Sequence, residues 1–334
     1  MIFFGFVSIT LADMWSIATQ RVVARRGFCV HTALTSGFPD LVTKLRSIAD
    51  LPKEEMLGKA GDVFTEMLEQ PGIESANSRD VVRLYTVCGK MRLFDSSVFE
   101  RVNRNLDLTS FEDLKKLVTA CNRLKYTMTD VDVFERAMTA HKSAIAGSDM
   151  RTLVAFMQYA ARSGASGLAG PMLEGLSKKV AILKEDPELM KSRAVIGTDE
   201  AIKWITAAGQ LKTKLTPEQK EDVKYVLTKI LAYELRNVPF QSLMKLFFSL
   251  TELQVFDDFF VRRRLVPAIA SSFRSLPQQS PKDTLLVLTA VSQLPFSNPL
   301  VVELTDVAKE VAAKLDPDHE LAGAIEKVIK SIRT

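Results

Sequence analysis

Apolar residues recur along this chain at three- and four-residue intervals, broken by polar turns roughly every 32–50 residues. Leu84 and Cys88, Leu117 and Cys121, Trp204 and Ala208, Leu246 and Leu250, and Val287 and Val291 each lie four apart and close such a stripe. Met91, Leu124, Leu211, Leu253 and Leu294 follow three residues later, so a Cys-x-x-Leu column emerges in which Ala, Leu and Val also stand for Cys. Each stripe is preceded by a helix starter: Ser78, Ser110, Asp149, Thr198 with Asp199, Pro239, or Ser280 with Pro281. Short oxygen-bearing side chains accept from the orphan amides of a first turn, and Pro lacks the amide that would need a partner there. Ser110-Phe-Glu-Asp113 fits a capping box. Beyond each column a polar turn leads into a second helix, predicted over 97–106, 130–146, 217–236, 257–273 and 299–315.

Two of these units nearly spell the same phrase. Residues 87–101 read VCGKMRLFDSSVFER and residues 120–136 read ACNRLKYTMTDVDVFER; Cys88 and Cys121 are 33 apart, the two VFER copies 35. Self-similarity at this period marks a repeat array, which holds partners along an extended surface. Seven helical hairpins are expected, beginning near Phe38, Ser78, Ser110, Asp149, Asp199, Pro239 and Pro281. The first and fourth fit the column poorly; residues 164–170 interrupt the fourth, and 184–197 read as a longer loop where the array bends or splits. No segment sustains the period-two alternation of a strand. The expected fold is all-α, an α-solenoid of about seven hairpins.

Of the 334 residues 47% are hydrophobic and 25% charged, which suits an ordered, elongated core. Three cysteines argue against a disulfide framework and for a reducing compartment. The longest uncharged apolar run, residues 1–12, is too short for a bilayer-spanning helix, so no membrane insertion is expected. Residues 14–39 contain no acid, yet Arg21, Arg25 and Arg26 sit among Trp15, Ile17, Val22, Val23 and Phe28. That pattern predicts a mitochondrial presequence over 1–32, with the helical-repeat domain over 33–334 and the protein in the matrix. Met14 is an alternative start. Without residues 1–32 the net charge falls from +4 to 41 − 39 = +2, and 40–76 carry eight acids against four bases, leaving the rest more positive.

Catalytic chemistry finds no foothold. His31, His141 and His319 are far apart, and no phosphate-loop or metal-ligand spacing occurs, so neither cofactor nor metal is expected. Cys88 and Cys121 share the tolerant column and read as small core residues. The cations just beyond that column are more suggestive: Lys90, Arg92, Arg123, Lys125, Arg162, Lys212 and Lys214 fall at one inter-helix edge in four successive units. In a stacked array they would line one rim, suited to an RNA backbone, though cations also complement helix C-termini. Arg262, Arg263 and Arg264, with Phe248 and Phe260 as the harder-to-bury rings of two Phe-Phe pairs, form a candidate protein-docking patch.

Paired helices carrying L-x-x-L-x-x-A/C-x-x-L-(K/R) and D-x-x-V-F-E-R resemble degenerate organellar helical repeats, the octotricopeptide and FAST-kinase-like arrays, with pentatricopeptide repeats more distant. With the presequence, the chain is similar to helical-repeat proteins of kinetoplastid mitochondria. The resemblance covers roughly 78–315 and implies a non-enzymatic subunit of an RNA-editing, transcript-processing or ribosomal assembly, partnered by RNA and other subunits. No RAP-like domain is expected in 316–334, and regular pentatricopeptide code positions are absent. Two other readings stay open: a protein-only scaffold, and a structural subunit of a respiratory or ATP-synthase complex.

Overall fold

A computed structural model describes residues 37–128, 131–189, 194–276, 279–294, 299–316 and 319–332, so the presequence expected over 1–32 lies outside the described residues. The fold is all-α, with no strand among the described residues. Two compact units divide the chain between Ile73 and Glu74.

The described residues of the first unit hold one hairpin. α1 (Phe38–Ile48) and α2 (Lys53–Glu69) bury Leu41, Leu45 and Ile48 with Ala60, Val63 and Met67, and Lys44 pairs with Glu66 at 2.6 Å.

The second unit is a run of hairpins whose first helices stack on one another. These are α3 (Ser78–Met91), α5 (Phe111–Leu124), α8 (Met150–Ser163), α10 (Thr198–Gln210), α12 (Phe240–Glu252) and α15 (Pro281–Ser292), each packed against the next. Their partners are α4 (Ser96–Asn103), α6 (Val131–Ala140) with the short α7 (Lys142–Ala146), α9 (Ala169–Glu185), α11 (Pro217–Lys229), α13 (Asp258–Phe260) with α14 (Val266–Arg274), and α16 (Pro299–Ala313). The six first helices share a frame. Asn77, Ser110, Asp149, Gly197, Pro239 and Ser280 are their N-caps, each eleven residues before the column residue Cys88, Cys121, Ala160, Ala208, Leu250 or Val291. Asn77, Ser110, Asp149 and Ser280 accept a first-turn amide through their side chains, as expected of such caps. The column itself is buried, Cys88, Cys121, Ala160 and Ala208 at 0% exposure.

The far end is equally regular. The column carbonyl accepts from the amide five residues on: Leu93 to Cys88 at 3.2 Å, Tyr126 to Cys121 at 3.0 Å, Ala165 to Ala160 at 3.1 Å, Thr213 to Ala208 at 3.2 Å and Val255 to Leu250 at 3.0 Å. This is the six-to-one bond of a Schellman cap, which needs a left-handed residue one step earlier. Arg92, Lys125, Gly164, Lys212 and Gln254 supply it, with φ of 55°, 54°, 69°, 49° and 53°. In the seventh hairpin that place lies outside the described residues, and α15 ends with Leu294 bonded to Val291 at 3.1 Å.

Several boundaries differ from expectation. The fourth hairpin fits the column after all, with Ala160 in it and Gly164 at the left-handed step. The second helix of the third hairpin breaks at His141. α11 stops at Lys229 and the chain continues to Asn237 in 3-10 turns. The helix expected over 257–273 carries a π-helical turn, Val261–Leu265, where Pro267 has no amide to offer the Arg263 carbonyl. The described residues on either side of 190–193 belong to the same compact unit. Lys184 pairs with Asp222 at 3.0 Å, the Tyr225 hydroxyl donates to the Leu183 carbonyl at 3.2 Å, and Ile196 is buried. Past the expected array, α17 (Glu320–Ile332) closes the end of the stack, burying Ile325 and Ile329 against Leu288 and Ala308.

The twin phrase packs a continuous aromatic cluster. Tyr85 lies 4.1 Å from Phe99 between ring centroids, Tyr126 lies 5.2 Å from both Phe94 and Phe99, and the Tyr85 hydroxyl is bonded to Asn103 at 3.0 Å. Each fully buried ring contributes roughly 1.5–3 kcal/mol, so the hairpin that carries this cluster is firmly tied to the next.

Candidate nucleic-acid interface

The rim predicted from sequence is set by helix termination. Lys90, Arg123 and Arg162 stand two residues past the column, in the last helical turn; Arg92, Lys125 and Lys212 stand four past it, at the left-handed cap; Lys214 follows in the turn. Lys90, Arg92, Arg123, Lys125, Lys212 and Lys214 are exposed. Among the described residues Lys90, Arg92, Arg123, Lys212 and Lys214 have no anionic partner.

Arg162 is placed differently. Its guanidinium donates to the Cys121 carbonyl at 3.0 Å and to Asn122 Oδ1, and it lies 5.9 Å over the Tyr159 ring. Burial holds its pKa below the usual arginine value. It closes the seam between the third and fourth hairpins, so it does not extend the exposed row.

The docking candidates are also rearranged. Phe260 is fully buried, and the exposed ring of that pair is Phe259, at 60%. Phe260 is therefore a core residue: Asp257 caps the turn by accepting the Phe260 amide, which fixes the helix phase that turns Phe260 inward. Phe248 is half-buried, in edge contact with Phe247 at 5.7 Å. Arg262 pairs with Asp258 at 3.2 Å, Arg263 is exposed, and Arg264 lies 5.3 Å over the ring of Tyr233, itself 73% exposed. The sequence reading missed Tyr233 and Phe259 because an exposed aromatic inside an apolar run carries no mark of its own.

The two column cysteines offer no reactive thiol. Both are buried, and loss of solvent pushes the Cys121 thiol up to about 12 and the Cys88 thiol higher still. No helix among the described residues is long and apolar enough to cross a membrane. No protein-family model matches the chain, and no curated protein matches it in sequence.

Proposed function

We propose that this chain is a non-enzymatic helical-repeat subunit of a mitochondrial RNA-metabolism assembly, holding an RNA backbone along the rim at the ends of its first helices. One observation carries the reading. A left-handed position costs an L-residue about 1–2 kcal/mol and costs glycine almost nothing. Gly164 and Gln254 occupy it in two hairpins, and Arg92, Lys125 and Lys212 occupy it in three others, exposed to solvent. The cap bond is made by backbone groups, so it does not call for a cation at this step. Recurrent cations at strained, exposed steps suit phosphate contacts better than packing. The mitochondrial part rests on the acid-poor, Arg-bearing pattern of residues 1–32.

The test is to replace Arg92, Lys125 and Lys212 together by Gly. Single-stranded RNA should bind more weakly, with the slope of log K against log salt shallower by about 2, since each lost phosphate contact removes roughly 0.7. Unchanged affinity and slope would show that the rim is a solvated edge, and a parent chain that binds no single-stranded RNA at low salt would leave the protein-only scaffold standing.

A further inference from the structure

We propose that the seam between α3 and α5 is a phosphate-binding groove, which takes the phosphates of a nucleotide chain across the outer faces of these helices, apart from the cap residues. The ligand class rests on the reading above; the site is new to it. α3 presents Arg83, Thr86 and Lys90, and α5 presents Lys116, Thr119 and Arg123, each triplet spaced i, i+3, i+7 on one helix face. Residue for residue the two triplets are 33 apart, the spacing of Cys88 and Cys121, so they stand in the same register on adjacent helices. A groove of about 160 Å³ runs between them, lined by Thr86, Lys116, Thr119 and Arg123, with Glu112 and Lys115 toward its N-terminal end.

Its floor follows from a close approach. A Cβ on Gly89 would lie 3.2 Å from Ala120 Cα, so only glycine lets the two helices come together here without one giving way. That contact brings Thr86 of α3 beside Lys116, Thr119 and Arg123 of α5. The charges are uneven along the groove. Arg83 is answered by Asp80 at 2.9 Å, Lys115 by Glu112 at 3.1 Å and Lys116 by Asp113 at 3.9 Å, all three acids lying on first turns. Lys90 and Arg123, on the last turns, have no anionic partner among the described residues. Of these two, Arg123 lines the groove, so its C-terminal end carries a cation without counter-charge. A phosphate there meets Arg123 and the two threonines; Thr86 would turn to it the proton it now donates to the Val82 carbonyl at 2.8 Å. The register weakens further along the array. Lys203 and Thr206 are followed by Gln210, and Lys245 by Phe248 and Glu252, so the complete pair belongs to this seam.

The full chain is tested with three probes: a single-stranded RNA oligonucleotide, inorganic tripolyphosphate, and poly-glutamate as a polyanion without phosphate. Lys116→Gln with Arg123→Gln should weaken RNA binding about tenfold or more and flatten the salt slope by about 1.4. Thr86→Val with Thr119→Val should weaken tripolyphosphate by roughly three- to tenfold at an unchanged slope, and leave poly-glutamate untouched. Thermal unfolding of both variants checks that the fold is kept. Wild-type affinity of both variants for both phosphate probes overturns the groove, as does poly-glutamate bound as tightly as RNA, which would mark an acidic-protein surface. If tripolyphosphate binds and the groove variants lose it while RNA does not bind, the groove stands and the RNA reading falls. If RNA binding is lost only in the Arg92, Lys125 and Lys212 glycine variant, the reading stands and the groove falls.

Discussion

Arg162 donates to the Cys121 carbonyl across the seam between two hairpins, at 3.0 Å, onto an oxygen that already accepts the Tyr126 amide at 3.0 Å. The C-terminus of α5 is therefore closed twice, once by its own Schellman turn and once by the next hairpin. A charged donor suits this place because the last carbonyls of a helix carry its negative pole.

Arg162→Met should accordingly destabilise the fold by about 1.5–3 kcal/mol, the usual worth of hydrogen bonds to a charged group. It keeps most of the aliphatic stem while leaving Asn122 Oδ1 and the second lone pair of Cys121 without the guanidinium. Arg162→Lys should rescue only part, because an ammonium cannot reach both acceptors with a fixed fork. Urea denaturation measures both. A loss in Arg162→Met below roughly 0.5 kcal/mol, the range of a neutral surface change, would show that the seam does not depend on this bond. The same variant separates structure from recognition: stability should move much more than RNA affinity.

Glycines on two helices should respond with opposite signs. A Cβ on Gly209 would overlap Ser249, with Ser249 Cα only 2.6 Å away, so α10 and α12 must separate to admit it. Gly209→Ala should cost about 1–3 kcal/mol, as overpacking does. Gly58 and Gly61 lie inside α2 with nothing within 4 Å of the added atom. Alanine there should stabilise by roughly 0.5–1 kcal/mol at each site, the helix-propensity difference. Denaturation midpoints of the three variants decide the matter, and a stabilised Gly209→Ala would refute the close approach.

Much of this architecture was legible before the structure, for reasons that can be located. Apolar spacing and capping residues are local signals, so the starts at Ser110, Asp149 and Ser280 and the column through Cys88, Cys121 and Ala208 could be read directly. The left-handed caps could not. Gly164 alone carries the residue expected there, while Arg92, Lys125 and Lys212 look like ordinary terminal cations. Arg162 shares the chemistry and sequence offset of Lys90 and Arg123, yet its partner is 41 residues away, a distance periodicity cannot see. Phe259 and Phe260 are indistinguishable by type, and only the phase set by Asp257 decides which is buried. The α3–α5 groove was hidden for a further reason: its lining is divided between two helices, and only the stacking of Gly89 on Ala120 brings Thr86 beside Thr119 and Arg123.

Cys88 and Cys121 should resist alkylation in the folded protein. Both thiols are buried and held protonated by desolvation, Cys121 up to about 12, whereas iodoacetamide attacks the thiolate. Their folded values lie above the ordinary 9.0, so this contribution to stability is present below pH 9.0 and is lost as pH rises toward the folded values. Near pH ~8 both sites should label only through opening of the array, at a rate that urea accelerates. Mass spectrometry of labelled peptides checks this, and prompt native labelling of either cysteine would contradict its burial.

The Glu74–Arg101 pair supplies an acid-side counterpart. Arg101 donates to Glu74 at 2.8 Å, and with Arg104 nearby it holds the Glu74 carboxyl below the ordinary glutamate value of 4.5. A carboxyl whose folded pKa is depressed contributes stability above its unfolded pKa and loses that contribution as pH falls through the folded value. Glu74→Gln should therefore be less stable than the parent at neutral pH, and the two should converge as the pH drops below 4.5. Asn105 donates to the Glu74 backbone carbonyl at 2.9 Å, a bond the substitution leaves intact, so the carboxylate is isolated as the variable. Stability of both proteins followed from pH ~7 to ~3 gives the answer. A difference that stays constant across that range would assign the effect to packing, and one that grows toward acid would reverse the sign of the pair.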